Sequence, residues 1–139
     1  QILPRISSIV SVFATEPLAD PLSDWLGSLA RLKALLPDDL LVLPSHGEPF
    51  RGVQARLRAL MRGHETALAR LERTLRDPKR AVDVFSALFA REIGDDLLGM
   101  ATGESLAHLN HLERRGRVVR RLDAEGVEWW TATKGDNDR

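Results

Sequence analysis

The sequence predicts an α+β fold that is mainly helical. Apolar residues recur at helical spacing over residues 21–36 and again over 53–76, and the chain closes on two β segments around a short turn. Its 139 residues suit one ordinary domain, or a small domain with an appendage. A hydrophobic share of 43% permits a real core. No apolar run approaches a membrane span and no signal peptide is visible. The absence of Cys rules out a disulfide framework and fits a cytoplasmic protein.

The first expected element is a β segment over 6–13, Ile-Ser-Ser-Ile-Val-Ser-Val-Phe, with partial alternation. Asp20-Pro21 then starts a helix, because Asp can accept from the first free amides and Pro suits the first helical position. Leu22, Trp25, Leu26, Leu29, Leu32 and Leu36 form its apolar face. Pro37-Asp38-Asp39 ends it, and Leu40 to Leu43 reads as a short buried strand that Pro44 stops. The loop that follows, Pro44-Ser-His-Gly-Glu-Pro49, presents His46 between residues that stiffen the backbone. Such a strand-end loop can hold a ligand. It can equally carry a histidine that bonds a neighbouring backbone group.

A long helix is expected from Val53 to Arg76, with Val53, Leu57, Leu60, Met61, Leu68, Leu71 and Leu75 along one stripe. His64 falls in that stripe and reads as a packed, hydrogen-bonded side chain. Asp77-Pro78 breaks the helix and divides the chain into residues 1–77 and 78–134. In the second part, helices are expected at 80–91, at 95–100, and at 104–115 after a Thr102-Gly103 turn. A hairpin follows, Val118–Leu122 and Val127–Thr133 around Asp123-Ala-Glu-Gly126. Three helices and a hairpin make a winged helix-turn-helix. The polar residues 135–139 read as a disordered tail. Glu104, His108 and His111 share one helical face, which reads as a solvated face rather than a metal site. Of the adjacent Trp129 and Trp130, one is expected in the core and the other facing outward.

Taken together, Leu43-Pro-Ser-His-Gly47, the following helix with Arg62-Gly-His64, and the terminal winged helix resemble the metallo-β-lactamase-fold hydrolases that carry a C-terminal winged-helix domain. Gln1-Ile-Leu-Pro-Arg-Ile-Ser7 is similar to the segment that follows a metal-binding Gly-Asp pair in that family. The resemblance implies a C-terminal fragment of an αββα hydrolase fold followed by a winged helix-turn-helix domain. It implies that His46 is a metal ligand and that Ser45, His64 and Arg5 support it or line the cleft. Ser45 stands where Gly is more usual. The family's His-x-His-x-Asp-His motif is absent, so the chain alone is expected to be inactive.

The resemblance further implies one or two zinc ions in the full-length protein, not retained by this chain, and hydrolysis by metal-bound hydroxide. An ester, a thioester, a lactam or a phosphodiester are all open as substrate, as a small molecule or an RNA-like one. The implied partner is the N-terminal remainder of the hydrolase domain, with a homodimer through unpaired strand edges also open. No membrane partner is expected. Gln1 in place of Met fits a piece of a longer protein.

A winged helix can instead bind nucleic acid, and Arg114, Arg115, Arg117, Arg120 and Arg121 cluster where phosphates would approach. Formal charge works against this. The 20 basic and 20 acidic groups cancel; residues 1–50 hold three and six of them, leaving seventeen and fourteen for the rest. Glu104 at the front of the third helix, with Asp95 and Asp96 nearby, opposes a DNA backbone, so DNA is disfavoured. The winged helix is expected to pack on the hydrolase domain and shape its cleft.

Overall fold

The computed structural model describes residues 2–133. The expected tail at 135–139 lies outside the described residues. Helix α1, Pro21–Leu35, begins as predicted: the Asp20 carboxylate accepts from the Ser23 amide at 3.0 Å, and Pro21 occupies the first turn. Helix α2 runs from Val53 to Thr74 and buries Val53, Leu57, Leu60, Leu68 and Leu71. Its first turn is capped from a distance. Asp38 accepts from the Gln54 amide, and the Gln54 side chain donates to the Lys33 and Leu36 carbonyls. These bonds fasten the end of α1 to the start of α2.

The second half departs from three separate helices. Residues 81–84 make one turn of 3-10 helix and α3 spans only Phe85–Leu88, so the helix expected over 80–91 is much shorter. Phe89 is already extended. A second 3-10 turn, Asp95–Leu97, runs directly into α4, Leu98–Arg114. The expected turn at Thr102-Gly103 is therefore the interior of a helix. Thr102 does not cap; its hydroxyl donates to the Leu98 carbonyl one turn back. Gly103 has a packing reason instead. A Cβ there would sit 3.0 Å from the Val12 carbonyl oxygen and 3.2 Å from Ser11, while the Val12 amide donates to the Gly103 carbonyl at 3.0 Å.

The hairpin forms where expected. Strands β1, Val118–Leu122, and β2, Glu128–Ala132, pair antiparallel with Arg120 opposite Trp130. Asp123 organises the turn by accepting from the Glu125 and Val127 amides and from the Trp129 indole. These bonds hold its carboxyl below the usual carboxylate range, the Trp129 bond most of all. Lys79 pairs with the other edge of Trp130 through two backbone bonds.

The β segments expected at 6–13 and 40–43 do not form strands. A strand exists by the ladder it shares with a neighbour. Among the described residues neither run has one, apart from the single bridge between Val42 and Phe50. Nor is the 40–43 run buried: Leu40, Leu41 and Leu43 are exposed.

One core joins Val10, Val12 and Leu22 to the end of α2, to Val84 and Ala87, to α4 and to the hairpin. Leu68, Leu71 and Leu75 thus lie in the same apolar cluster as Leu109, Val118 and Trp130. The Ala132 amide also donates to the Leu75 carbonyl, so contacts cross Asp77-Pro78 closely. A second cluster, Leu29, Val53, Leu57 and Leu60, sits between α1 and α2.

Candidate functional site

His46 lies at the tip of a loop closed by paired backbone bonds between Val42 and Phe50, at 2.8 and 3.0 Å. Arg51 donates to the Asp39 carbonyl and steadies the loop's outer end. Gly47 has φ near +87°, which L side chains rarely adopt, and a Cβ on it would come within 2.9 Å of Pro4. This Gly lets the loop lie flat on the segment Leu3–Ile6. The result is a hollow of about 600 Å³ shared by Pro4, Arg5, His46, Glu48 and Phe50. His46 is exposed, and among the described residues its ring makes no hydrogen bond, so it is not tied to the local backbone. Ser45 is exposed beside it.

His64 sits elsewhere, on α2 in a second cleft of about 360 Å³. Arg5 lines both hollows, so it stands between His46 and His64. The His64 ring is hydrogen-bonded, as its place in the apolar stripe predicts. Trp25 Nε1–H donates to His64 Nε2 at 3.2 Å, and the Ser7 hydroxyl lies 3.2 Å from the same nitrogen. An indole only donates, so Nε2 carries the lone pair and the ring proton is on Nδ1. Burial pushes its pKa down, and His111 nearby adds to this.

His108 and His111 correct the expectation of a solvated face: both are buried. His108 Nδ1–H donates to the Glu104 carbonyl at 2.8 Å, and its ring centroid is 5.7 Å from that of His64. Burial pushes the His108 pKa down to about 4, against that hydrogen bond, which favours the proton. His111 Nδ1–H donates to both Asp20 oxygens, at 3.1 and 3.2 Å. Asp20 therefore caps α1 and anchors α4 at once. Asn110 donates to the Pro17 and Ala19 carbonyls, and Arg114 to that of Leu18, so α4 grips the loop ahead of α1.

The arginines of the nucleic-acid alternative are largely engaged within the chain. Arg114 holds Leu18, Arg115 pairs with Glu65, Arg117 with Glu72, and Arg120 with Glu113 and Glu128. Arg120 also lies over the ring of Trp130, which is fully buried. Trp129 does not simply face outward: Arg80 covers its ring at 5.8 Å and Asp123 takes its N–H.

Sequence reasoning missed Arg56 and Arg70, which line the His64 cleft. A signal was present. Arg56, Ala59, Leu60, Gly63, His64, Ala67 and Arg70 recur three and four apart, and the small residues among them leave room above that face of α2.

A metal site can be tested against these residues. Among the described residues, no three His, Asp or Glu side chains come together as a ligand set. Zinc in a catalytic site takes three protein ligands. His46 can supply one, and the residues described do not complete the set.

Comparison with known proteins agrees with this architecture. Residues 68–133 match the family described as metallo-beta-lactamase-like, C-terminal domain. Nearly the whole chain is similar to two solved structures. A beta-lactamase domain protein from Burkholderia ambifaria is 40% identical with a TM-score of 0.89, over 95% of this chain and 39% of that one. A metallo-beta-lactamase family protein from Thermus thermophilus is 29% identical with a TM-score of 0.79, over 95% of this chain and 40% of that one. No curated protein matches. The chain shares the fold of the C-terminal part of metallo-β-lactamase-like proteins, and it spans about two fifths of the length of these two relatives.

Proposed function

We propose that the chain is the C-terminal portion of a metal-dependent hydrolase acting on an ester, thioester, lactam or phosphodiester. His46 would supply one zinc ligand, the others coming from the remainder of the hydrolase domain. The observation that carries this reading is the His46 loop: a free imidazole on a rigid tip, pressed onto Leu3–Ile6 by Gly47, in a chain 40% identical to a beta-lactamase domain protein. Arg5 would line the cleft, while Ser45 and His64 would support it from either side.

The proposed partner is the rest of the fold. Ile9, Phe13 and Leu43 are 63%, 71% and 74% exposed, and among the described residues the two runs that hold them have no strand neighbour beyond the Val42–Phe50 bridge. Both facts support docking against a sheet supplied by that remainder. The same edges support a homodimer only where the remainder is missing. As units, 1–77 would complete the hydrolase domain, and 78–134 would be a modified winged helix that shapes the cleft and shares its core with α2. Among the described residues no helix is long and apolar enough to cross a membrane; a cytoplasmic setting remains part of the proposal.

The test is metal content. The intact protein should bind zinc, and His46→Ala should remove an ion or weaken its affinity by at least about tenfold. This chain alone should show no tight, stoichiometric zinc. Tight zinc in the chain alone, or undiminished zinc in the variant, would falsify the assignment.

A further inference from the structure

The cleft beside His64 has an unbalanced charge. Arg5, Arg56 and Arg70 line it, and among the described residues none of the three pairs with a carboxylate. Arg56 donates to the Leu3 and Ile6 carbonyls, at 2.7 and 2.8 Å, which orients its guanidinium without neutralising it. Arg5 and Arg70 make no side-chain hydrogen bond or ion pair among the described residues. This is unlike the basic cluster around the hairpin, where four of the five arginines are occupied.

The other polar groups suit an anion as well. His64 carries its proton on Nδ1, because Trp25 donates to Nε2, so the ring has an N–H beyond that bond. The Ser7 hydroxyl also lines the space. Among the described residues Glu104 is the only carboxylate on the lining, and it is half-buried, where charge is disfavoured. The volume of about 360 Å³ accommodates a tetrahedral oxyanion and part of what it is attached to.

We propose that this cleft binds the phosphate group of a phosphate-bearing substrate, with Arg5 and Arg70 as its direct cationic contacts and Arg56 as a fixed positive charge behind them. Three guanidiniums match a phosphate dianion better than a single carboxylate, and planar guanidinium donors pair well with two oxygens of one group. Arg5 also borders the His46 hollow, so the remainder of a ligand held here extends toward His46. The role as a substrate subsite rests on the hydrolase reading; the binding itself does not.

The experiment is a titration of the intact protein with inorganic phosphate, and with acetate at matched ionic strength, followed by the ring signals of His64 and His108 and by Trp25 fluorescence. Phosphate should saturate these signals, and acetate should bind at least about tenfold more weakly. Arg5→Gln and Arg70→Gln should each weaken phosphate by about tenfold or more, the loss of one charge-assisted contact. Both residues are exposed and, among the described residues, unpaired, so these variants should fold. Arg58→Gln, on the same helix but outside the lining, should bind like the parent. Absence of saturation, equal weakening by Arg58→Gln, or acetate as tight as phosphate would each overturn the proposal. The titration is repeated on His46→Ala. Phosphate binding that persists there, with metal content unchanged, removes the hydrolase reading and keeps the cleft. Metal loss in His46→Ala without any phosphate response does the reverse.

Discussion

Residues 2–52 and residues 53–133 place their apolar side chains differently. The first region leaves Ile6, Ile9, Phe13, Leu18, Leu35, Leu41 and Leu43 more than half exposed. In the second, only Leu122 is exposed to that degree among the large hydrophobics, while Leu57, Leu71, Leu109, Val118 and Trp130 are almost fully buried. The difference follows from how each element is completed. Helices satisfy their own backbone, and a hairpin satisfies itself along one edge, so α2, α4 and the hairpin can assemble a core locally. Runs such as 6–13 and 40–43 need a ladder from elsewhere.

The contrast can be broken first by core truncation. Leu71→Ala should lower stability by about 2–5 kcal/mol, read from urea unfolding, because Leu71 has no exposed surface. A loss below about 1 kcal/mol, close to that of a surface change, would show that the shared core is loose.

Acid should act next. The His108 pKa of about 4 lies below the ordinary value of 6.5, so the unfolded chain binds this proton first. Its stabilising contribution is fully present above pH 6.5 and is lost as pH falls through 4, by about 3 kcal/mol at most. His64, lowered in the same direction, adds to the slope, while Glu104, raised by burial, opposes it. Denaturant midpoints between about pH 7.5 and pH 4, compared with His108→Gln, measure this. An equal acid slope in the variant would assign the effect to other groups.

Asp20→Ala should cost about 1–2 kcal/mol, since it removes the α1 cap and the acceptor of His111 together. His111→Ala in the same background should then cost less than it does alone, if the pair acts as a unit. Gly103→Ala should destabilise by about 1 kcal/mol. Helix propensity favours Ala, but the Val12 carbonyl in its path is backbone and yields poorly. A stabilised variant would mean that the 10–12 segment moves aside freely. The smallest effect belongs to the first region: Leu43→Ser should change stability by no more than about 0.5 kcal/mol, while reducing self-association in light scattering.

Much of the helical framework was legible in the residues. The Asp20-Pro21 start, the stripe from Val53 to Leu75, and the turn at Asp123–Gly126 each rest on short-range chemistry: a cap, a helical period, and a carboxylate that accepts nearby amides. His46 was legible as the occupant of a rigid loop. The continuity of α4 was not, because Thr102-Gly103 has the composition of a turn and only the close approach of Val12 explains the glycine. His108 and His111 share a spacing with Glu104 that suits a wet surface equally well. Both are buried instead, and the loop at 17–20 closes over this part of α4.

The sequence by itself determined where α1 and α2 run and where the hairpin turns, since those choices are made within a few residues of each position. Tertiary structure alone decided what the polar groups that meet across long stretches of chain do. It buried two histidines of α4, occupied most of the arginines near the hairpin, and left Arg5, Arg56 and Arg70 facing one cleft without a carboxylate partner among the described residues. Pairing and burial depend on which groups meet across long stretches of chain, and no local pattern encodes that.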